Sequence, residues 1–184
     1  MALNDIQIAE TTLEGWQNML TLMAAKLIIP AALIMKIEMP DIKVFLSSSS
    51  EGNVYKVGDS ECLLGSGLYC ERVFKTKSSL LVPNALQDKE WDKNPDIKLG
   101  MLSYLGFPLL WPNGDVFGTI CILDSKENLF DDAHKKVLSQ FKDYIENYLA
   151  LAVSKYLGEG KERLGKEMHC DKSLARIEKT LGMT

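Results

Sequence analysis

The sequence predicts an α+β domain built on a central antiparallel sheet, and three observations carry that prediction. Residues 31–38 and 43–48 read as strands joined by the turn Met39-Pro40-Asp41-Ile42. Residues 103–111 and 116–124 form a second such pair around Pro112-Asn113-Gly114-Asp115, a segment with strong hairpin chemistry. Residues 5–27 and 131–157 carry apolar side chains at helical spacing, so the strands are bracketed by two long amphipathic helices.

Each element has a local cause. In the first helix Ile6, Ala9, Leu13, Trp16, Leu20 and Met23 recur at three- and four-residue steps, and Pro30 blocks continuation. Residues 47–53 are polar and loop-like. Gly65-Ser66-Gly67 interrupts the chain before a short helix over 68–77, with Ser66 as its expected N-cap. Leu80-Leu81-Val82 is a short strand ended by Pro83-Asn84. Residues 87–99 are polar, hold Pro95 and place Trp91 mid-segment, which predicts a loop with a turn or two of helix. In the last helix Val137, Phe141, Ile145, Tyr148, Ala152 and Tyr156 keep the helical period. Residues 158–184 change character, with early glycines and dense mixed charge. Leu174, Ile177 and Leu181 still keep a helical spacing there. The expected organisation is therefore a domain over 1–157 and a charged, helical extension or linker over 158–184. No internal repeat occurs.

Composition narrows the function classes. A hydrophobic fraction of 46% with 25% charged residues supports a sizeable core. The net charge of −4 and dispersed Lys and Arg argue against a nucleic-acid partner. The most apolar early stretch, residues 27–35, is too short to span a bilayer and contains Pro30. A cytoplasmic domain without direct membrane contact is the expectation. Cys62, Cys70, Cys121 and Cys170 show neither zinc-ligand spacing nor the density of a disulfide-stapled fold, so they read as free thiols.

Several stretches, in this order and at these spacings, resemble GAF domains. They are Gly65-Ser66-Gly67-Leu68-Tyr69-Cys70-Glu71, the run LLVPNA over 80–85 with Asp88 and Trp91 after it, SYLGFPL over 103–109, FGTICILD over 117–124, and Phe130-Asp131-Asp132. The resemblance covers about residues 13–157. It is to the GAF domains of bacterial sensor histidine kinases and diguanylate cyclases. It implies a central antiparallel sheet with the terminal helices on one face and a small-molecule pocket on the other. It also implies a sensory role: binding a small ligand, pairing with a second copy through the terminal helices, or both, and signalling to an output domain in the same chain. No kinase or cyclase signature occurs in these residues. The domain itself is expected to be non-catalytic.

Strand alternation yields the candidate pocket residues. Ser103, Leu105 and Phe107 share one face of their strand, and Tyr104, Gly106 and Pro108 the other. On the partner strand Gly118, Ile120 and Ile122 alternate with Thr119 and Cys121. Gly106 and Gly118 are expected under the closely packed terminal helices. That leaves Ser103, Leu105, Phe107, Thr119 and Cys121 facing the pocket. This face either opens into a cavity with sparse polar groups or is filled core. Asn84, Asp88 and Trp91 stand where the resemblance places the pocket lid. Trp91 either caps the pocket or anchors its loop. Tyr148 and Tyr156 are expected to be spare for a second chain.

No cofactor is expected beyond an unidentified small ligand. His134 sits near the start of the last helix, and neither it nor His169 offers an apolar haem-ligand position. Bilin-binding GAF domains use a Cys-His pair within the core. Here the adjacent pair is reversed, His169-Cys170, outside it. Cyclic-nucleotide-binding branches carry a motif that Phe130-Asp131-Asp132 only partly echoes. Two alternatives stay open. One is a ligand-free dimerisation scaffold. The other is the free methionine sulfoxide reductase branch, which places several cysteines around its pocket; residues 92–103, where that branch supplies them, hold none.

Overall fold

A computed structural model of the chain describes Leu3 and residues 6–180, with side chains as far as residue 158. Helix α1 spans Glu10–Leu27 and buries Trp16, Leu20, Met23 and Ala24. It starts five residues later than the periodicity suggests. Residues 6–9 are not helical, and Ile6 reaches the core from outside the helix. The helix closes on Ile28 in the left-handed conformation (φ 55), whose N–H bonds to Ala24 O. Pro30 follows at once.

Strands β1 (Ala31–Glu38) and β2 (Asp41–Ser47) form the first hairpin, turning at Met39-Pro40. A short strand β3, Ser60–Cys62, pairs with β2 at the sheet edge. It is too short and too polar to announce itself by alternation. Helix α2 (Tyr69–Thr76) leads to β4 (Leu80–Val82). Two short 3₁₀ segments, Ala85–Gln87 and Pro95–Leu99, occupy the predicted loop. The second hairpin is β5 (Ser103–Leu110) and β6 (Val116–Asp124). Helix α3 runs Asp132–Thr180, 49 residues without a break at Gly158. Its start is capped as the Phe130-Asp131-Asp132 run suggests: Asp131 Oδ1 accepts from the N–H groups of Ala133 and His134. The side chains of His169 and Cys170 lie outside the described residues, as do residues 181–184.

The six strands form one sheet in the order β3-β2-β1-β6-β5-β4, and every neighbouring pair is antiparallel. The α+β class is as the strand pattern predicts. One face carries Ala32, Ile34, Leu105, Leu109, Ile120 and Ile122, packed against α1 and α3. The Trp16 and Tyr148 rings meet edge-on at 5.5 Å, which fixes the two terminal helices side by side. Tyr148 is therefore used within the domain, contrary to its expected availability for a second chain. The opposite face carries Leu33, Ile42, Val44, Tyr104, Cys121 and Leu123, with α2 and the 3₁₀ segments over it.

The glycines do not do what alternation suggests. Residues paired across β5 and β6 share a face, and the register sets Gly106 opposite Cys121 but Leu109 opposite Gly118. The two glycines thus lie on opposite faces. A Cβ at Gly106 would sit 2.0 Å from the Tyr104 hydroxyl, so this glycine makes room for the Tyr104 ring. A Cβ at Gly118 would meet Met35 O at 1.8 Å, so that glycine admits the β1 backbone rather than a helix.

Ser66 also acts differently from expected. Residue 68, not 66, precedes α2, and no side chain caps the helix. Ser66 Oγ accepts from Leu68 N and donates to Leu63 O, shaping the turn. The buried Glu71 carboxylate organises this loop: it accepts from the backbone N–H groups of Gly65 (2.6 Å) and Gly67 (3.0 Å) and pairs with Lys75. Burial works against the charge, yet Lys75 and the two N–H groups hold the carboxyl at about 2.

Candidate functional site

The face opposite the terminal helices encloses a cavity of about 330 Å³. That is at the small end of the roughly 300–1,000 Å³ typical of ligand sites. Its floor is the sheet: Leu33 and Met35 of β1, Ile42 and Val44 of β2, Leu123 of β6. Tyr104, Cys70 and Cys121 form one wall, where β5, α2 and β6 converge. The far wall is the 3₁₀ helix with Pro95 and Asp96, and Asp59, Ser60 and Glu61 stand at the rim.

Asp96 is the polar centre of this site. Its segment is built for rigidity. Asn94 Oδ1 accepts from Asp96 N, Pro95 occupies the first helical turn, and Asn94 Nδ2 donates to Gly67 O at 2.8 Å. The loop over α2 and the Asp96 segment are thereby tied together. Asp96 is 8% exposed. The Tyr55 hydroxyl donates to Asp96 Oδ1 at 2.8 Å and is its one side-chain donor among the described residues. Tyr55 is itself fixed: its N–H donates to Asn53 Oδ1, and its carbonyl accepts from Ser47 Oγ. Burial pushes the Asp96 carboxyl up to about 6; the Tyr55 bond pulls it down and Glu61 pushes it up.

The second polar feature is a thiol pair. Cys70 of α2 and Cys121 of β6, read from sequence as incidental thiols, stand together at the cavity wall. Thr119 Oγ1 donates to Cys70 Sγ at 3.3 Å, and the Tyr104 hydroxyl lies 3.5 Å from the same sulfur. The Cys121 thiol is pushed up by the neighbouring Cys70 sulfur and by burial. The neighbouring Cys121 thiol holds Cys70 down against burial, with hydrogen bonds to Thr119 and Tyr104 assisting. Behind Tyr104 stacks Tyr69, ring centroids 4.7 Å apart, whose buried hydroxyl has no hydrogen-bond partner among the described residues. The third described cysteine, Cys62, is exposed on the sheet edge.

The residues singled out from sequence divide sharply. Cys121 lines the cavity, and Thr119 reaches its wall through Cys70. Ser103, Leu105 and Phe107 do not join them. Phe107 pairs with Ile120 and Leu105 with Ile122, which turns Leu105 and Phe107 into the helix-facing core. Ser103 is fully buried and donates to Lys126 O. The expected lid is also elsewhere. Asn84 accepts from Leu86 N and donates to Glu127, and Asp88 accepts from Glu90 N in an exposed turn. Trp91 packs on Tyr69 at 5.1 Å with Arg72 over its ring, so it anchors its loop to α2. The residues that alternation missed are Tyr55, Cys70, Asp96 and Tyr104. Tyr104 left a trace: an aromatic two residues before a glycine on the same strand face needs that glycine's space. Asp96 left none, because Asn-Pro-Asp reads equally well as a solvated turn.

Among the described residues no cluster of His, Cys, Asp and Glu could hold a metal ion, and no helix is long and apolar enough to cross a membrane.

A raised carboxyl binds its proton more tightly in the folded than in the unfolded chain. It therefore removes stability as pH rises from the ordinary 3.8 to about 6, and the loss persists above that. Asp96→Asn keeps an acceptor for Tyr55 without the buried charge. The variant is expected to unfold at higher denaturant than wild type near neutral pH, by up to about 3 kcal/mol. The gap should close at about pH 4. A variant less stable than wild type at both pH values would show the carboxylate to be satisfied where it stands.

A sequence model described as GAF domain matches residues 29–150, the whole sheet and the start of α3. No curated protein sequence matches the chain. Solved structures of the same fold include the GAF domain of an Acinetobacter phosphoenolpyruvate-protein phosphotransferase. It is 16% identical with a TM-score of 0.61, covering 83% of this chain and 88% of that one. The phycocyanobilin-bound GAF domain of a cyanobacterial phytochrome is 13% identical with a TM-score of 0.63, covering 78% and 87%. The type II free methionine-R-sulfoxide reductase of Thermoplasma acidophilum is 15% identical with a TM-score of 0.57, covering 79% and 94%. At these identities the structures share a fold with this chain. The family match over residues 29–150, on a six-stranded antiparallel sheet with helices on both faces, identifies the chain as a member of the GAF domain family.

Proposed function

We propose that this domain is a non-catalytic, ligand-controlled regulatory module of a cytoplasmic signalling protein. In this reading it binds a small molecule in the Asp96 cavity and passes the occupancy to an output domain of the histidine kinase or diguanylate cyclase type. The observation that carries it is the cavity itself: an apolar floor, one buried carboxyl and a rigid wall, on the sheet face away from the terminal helices. β6 touches both sides, with Cys121 at the cavity and Ile120 and Ile122 under α1 and α3. A shift of this strand on ligand binding reaches the helices in one step.

The same reading divides the chain into a sensor unit over 1–157 and a connecting unit over 158–184, with α3 continuous across the division. A 49-residue helix is roughly 70 Å long, well beyond one domain's width. Exposed apolar residues on the terminal helices, Met19 and Leu22 of α1 and Leu151 and Leu157 of α3, favour pairing with a second copy through these helices.

The test is a thermal-shift screen of nucleotides, amino acids, amines and small carboxylates against the domain and against Val44→Phe, which fills the cavity floor. A ligand at a hundred times its Kd is expected to stabilise wild type by about 2.7 kcal/mol, and Val44→Phe to lose that response while remaining folded. A folded domain that answers no compound would leave the ligand-free dimerisation scaffold in front.

One observation favours a second, enzymatic reading, the placement of Cys70 and Cys121 at the cavity wall. In sulfoxide reduction the Cys70 thiolate would attack the sulfoxide sulfur and, with a proton taken up from solvent, leave a sulfenic acid and the sulfide. The Cys121 thiol would then displace the sulfenic oxygen as water, closing a disulfide for an external dithiol to reduce. Residues 92–103, where the resemblance places the cysteines of the reductase branch, hold none, which disfavours this reading. Incubation with free methionine sulfoxide and excess dithiothreitol is expected to yield no methionine; turnover abolished by Cys70→Ser would make the domain an enzyme.

A further inference from the structure

We propose that the cavity selects a small apolar amine, its ammonium group pairing with the Asp96 carboxylate and its hydrocarbon body lying on the sheet floor. The proposal rests on the reading of this cavity as a ligand site and names the chemistry of the ligand.

Charge decides the sign. The ionisable groups that line the cavity are Asp96 of the 3₁₀ helix, Asp59 and Glu61 around β3, Tyr55, Tyr104 and the thiols Cys70 and Cys121. With Tyr69 behind the wall, these are the titratable groups that face Asp96 from the surrounding elements. None of them is a cation at neutral pH, and no Lys, Arg or His is among the described lining residues. A ligand carboxylate or phosphate would meet three carboxyl groups with no counter-charge. Buried charges in proteins are paired or they are costly. Here Asp96 has a neutral phenol as its donor, and nothing in the wall compensates its charge.

Geometry decides the rest. Asp96 is held by Asn94 and Pro95 and tied to the Gly67 loop, so the carboxyl is pre-organised. Opposite it the floor offers aliphatic side chains from three strands, Leu33, Ile42, Val44 and Leu123. A head with one positive charge and an apolar body is what such a site complements. An alcohol of the same skeleton keeps the apolar contacts but leaves the carboxylate unpaired, and the matching acid adds repulsion.

The experiment uses the full chain and matched sets of three compounds sharing one skeleton: an amine, its alcohol and its carboxylate. Butyl, cyclohexyl and phenylethyl skeletons serve, and binding is read by calorimetry and thermal shift. The amine is expected to bind at least about tenfold more tightly than either analogue at about pH 7.5, and about tenfold more weakly itself at about pH 5, where Asp96 is largely protonated. Asp96→Asn, checked for folding by circular dichroism, is expected to lose the preference; if it does not fold, the pH dependence of wild type decides alone. Equal or tighter binding of alcohol or acid overturns the amine proposal while leaving the cavity a ligand site. Amine binding that Asp96→Asn leaves unchanged also overturns it. Binding of no compound from any skeleton, or from the broader screen, overturns both readings.

Discussion

The pairing of β5 with β6 decides what each side of this molecule is. Phe107 stands opposite Ile120 and Leu105 opposite Ile122, so these four side chains meet α1 and α3. Tyr104 stands opposite Leu123 and Gly106 opposite Cys121, so these turn to the cavity. A slip of one residue would exchange the two sets wholesale. The cavity wall, the seat of the Tyr104 ring over Gly106 and the core under the terminal helices all depend on that register.

On this frame the site carries a deliberate imbalance. Most polar groups around it are well supplied. Glu71 has two backbone N–H groups and Lys75, and Asn94 serves both its own segment and Gly67. The buried Tyr69 hydroxyl has no partner among the described residues, and Asp96 is a buried carboxyl whose side-chain partner is one phenol. Burial and the Glu61 charge raise its proton affinity beyond what the Tyr55 hydrogen bond restores. Such a group fits a site completed by something from outside. The thiol pair is a neighbouring, separate feature: Cys70 is already served by Thr119 and Tyr104.

Much of the fold was legible because its causes are local. Alternation and turn chemistry marked both hairpins, and apolar periodicity marked both terminal helices and their shared sheet face. Asp131 announced the start of α3. The errors came where the cause is not local. Alternation within a strand says which residues share a face, but only pairing across strands says which parity of one strand joins which parity of the next. Assigning that parity without the register placed Leu105 and Phe107 beside Thr119 and Cys121, on the wrong side. Of the two roles open to Trp91, the structure shows the anchor: its ring packs on Tyr69, away from the cavity. Asp96 was invisible because burial of a carboxylate in a Pro-containing turn depends on Tyr55, which lies 41 residues earlier in the chain.

The central claim is that Asp96 presents an uncompensated buried carboxyl to the cavity. Carbon-detected NMR titration of the Asp96 side-chain carboxyl in the free protein tests it most directly. The account predicts a midpoint of about 6, well apart from the exposed aspartates. A midpoint at or below the ordinary 3.8 would mean that water or protein donors already satisfy the charge, and the cavity would lose its organising group.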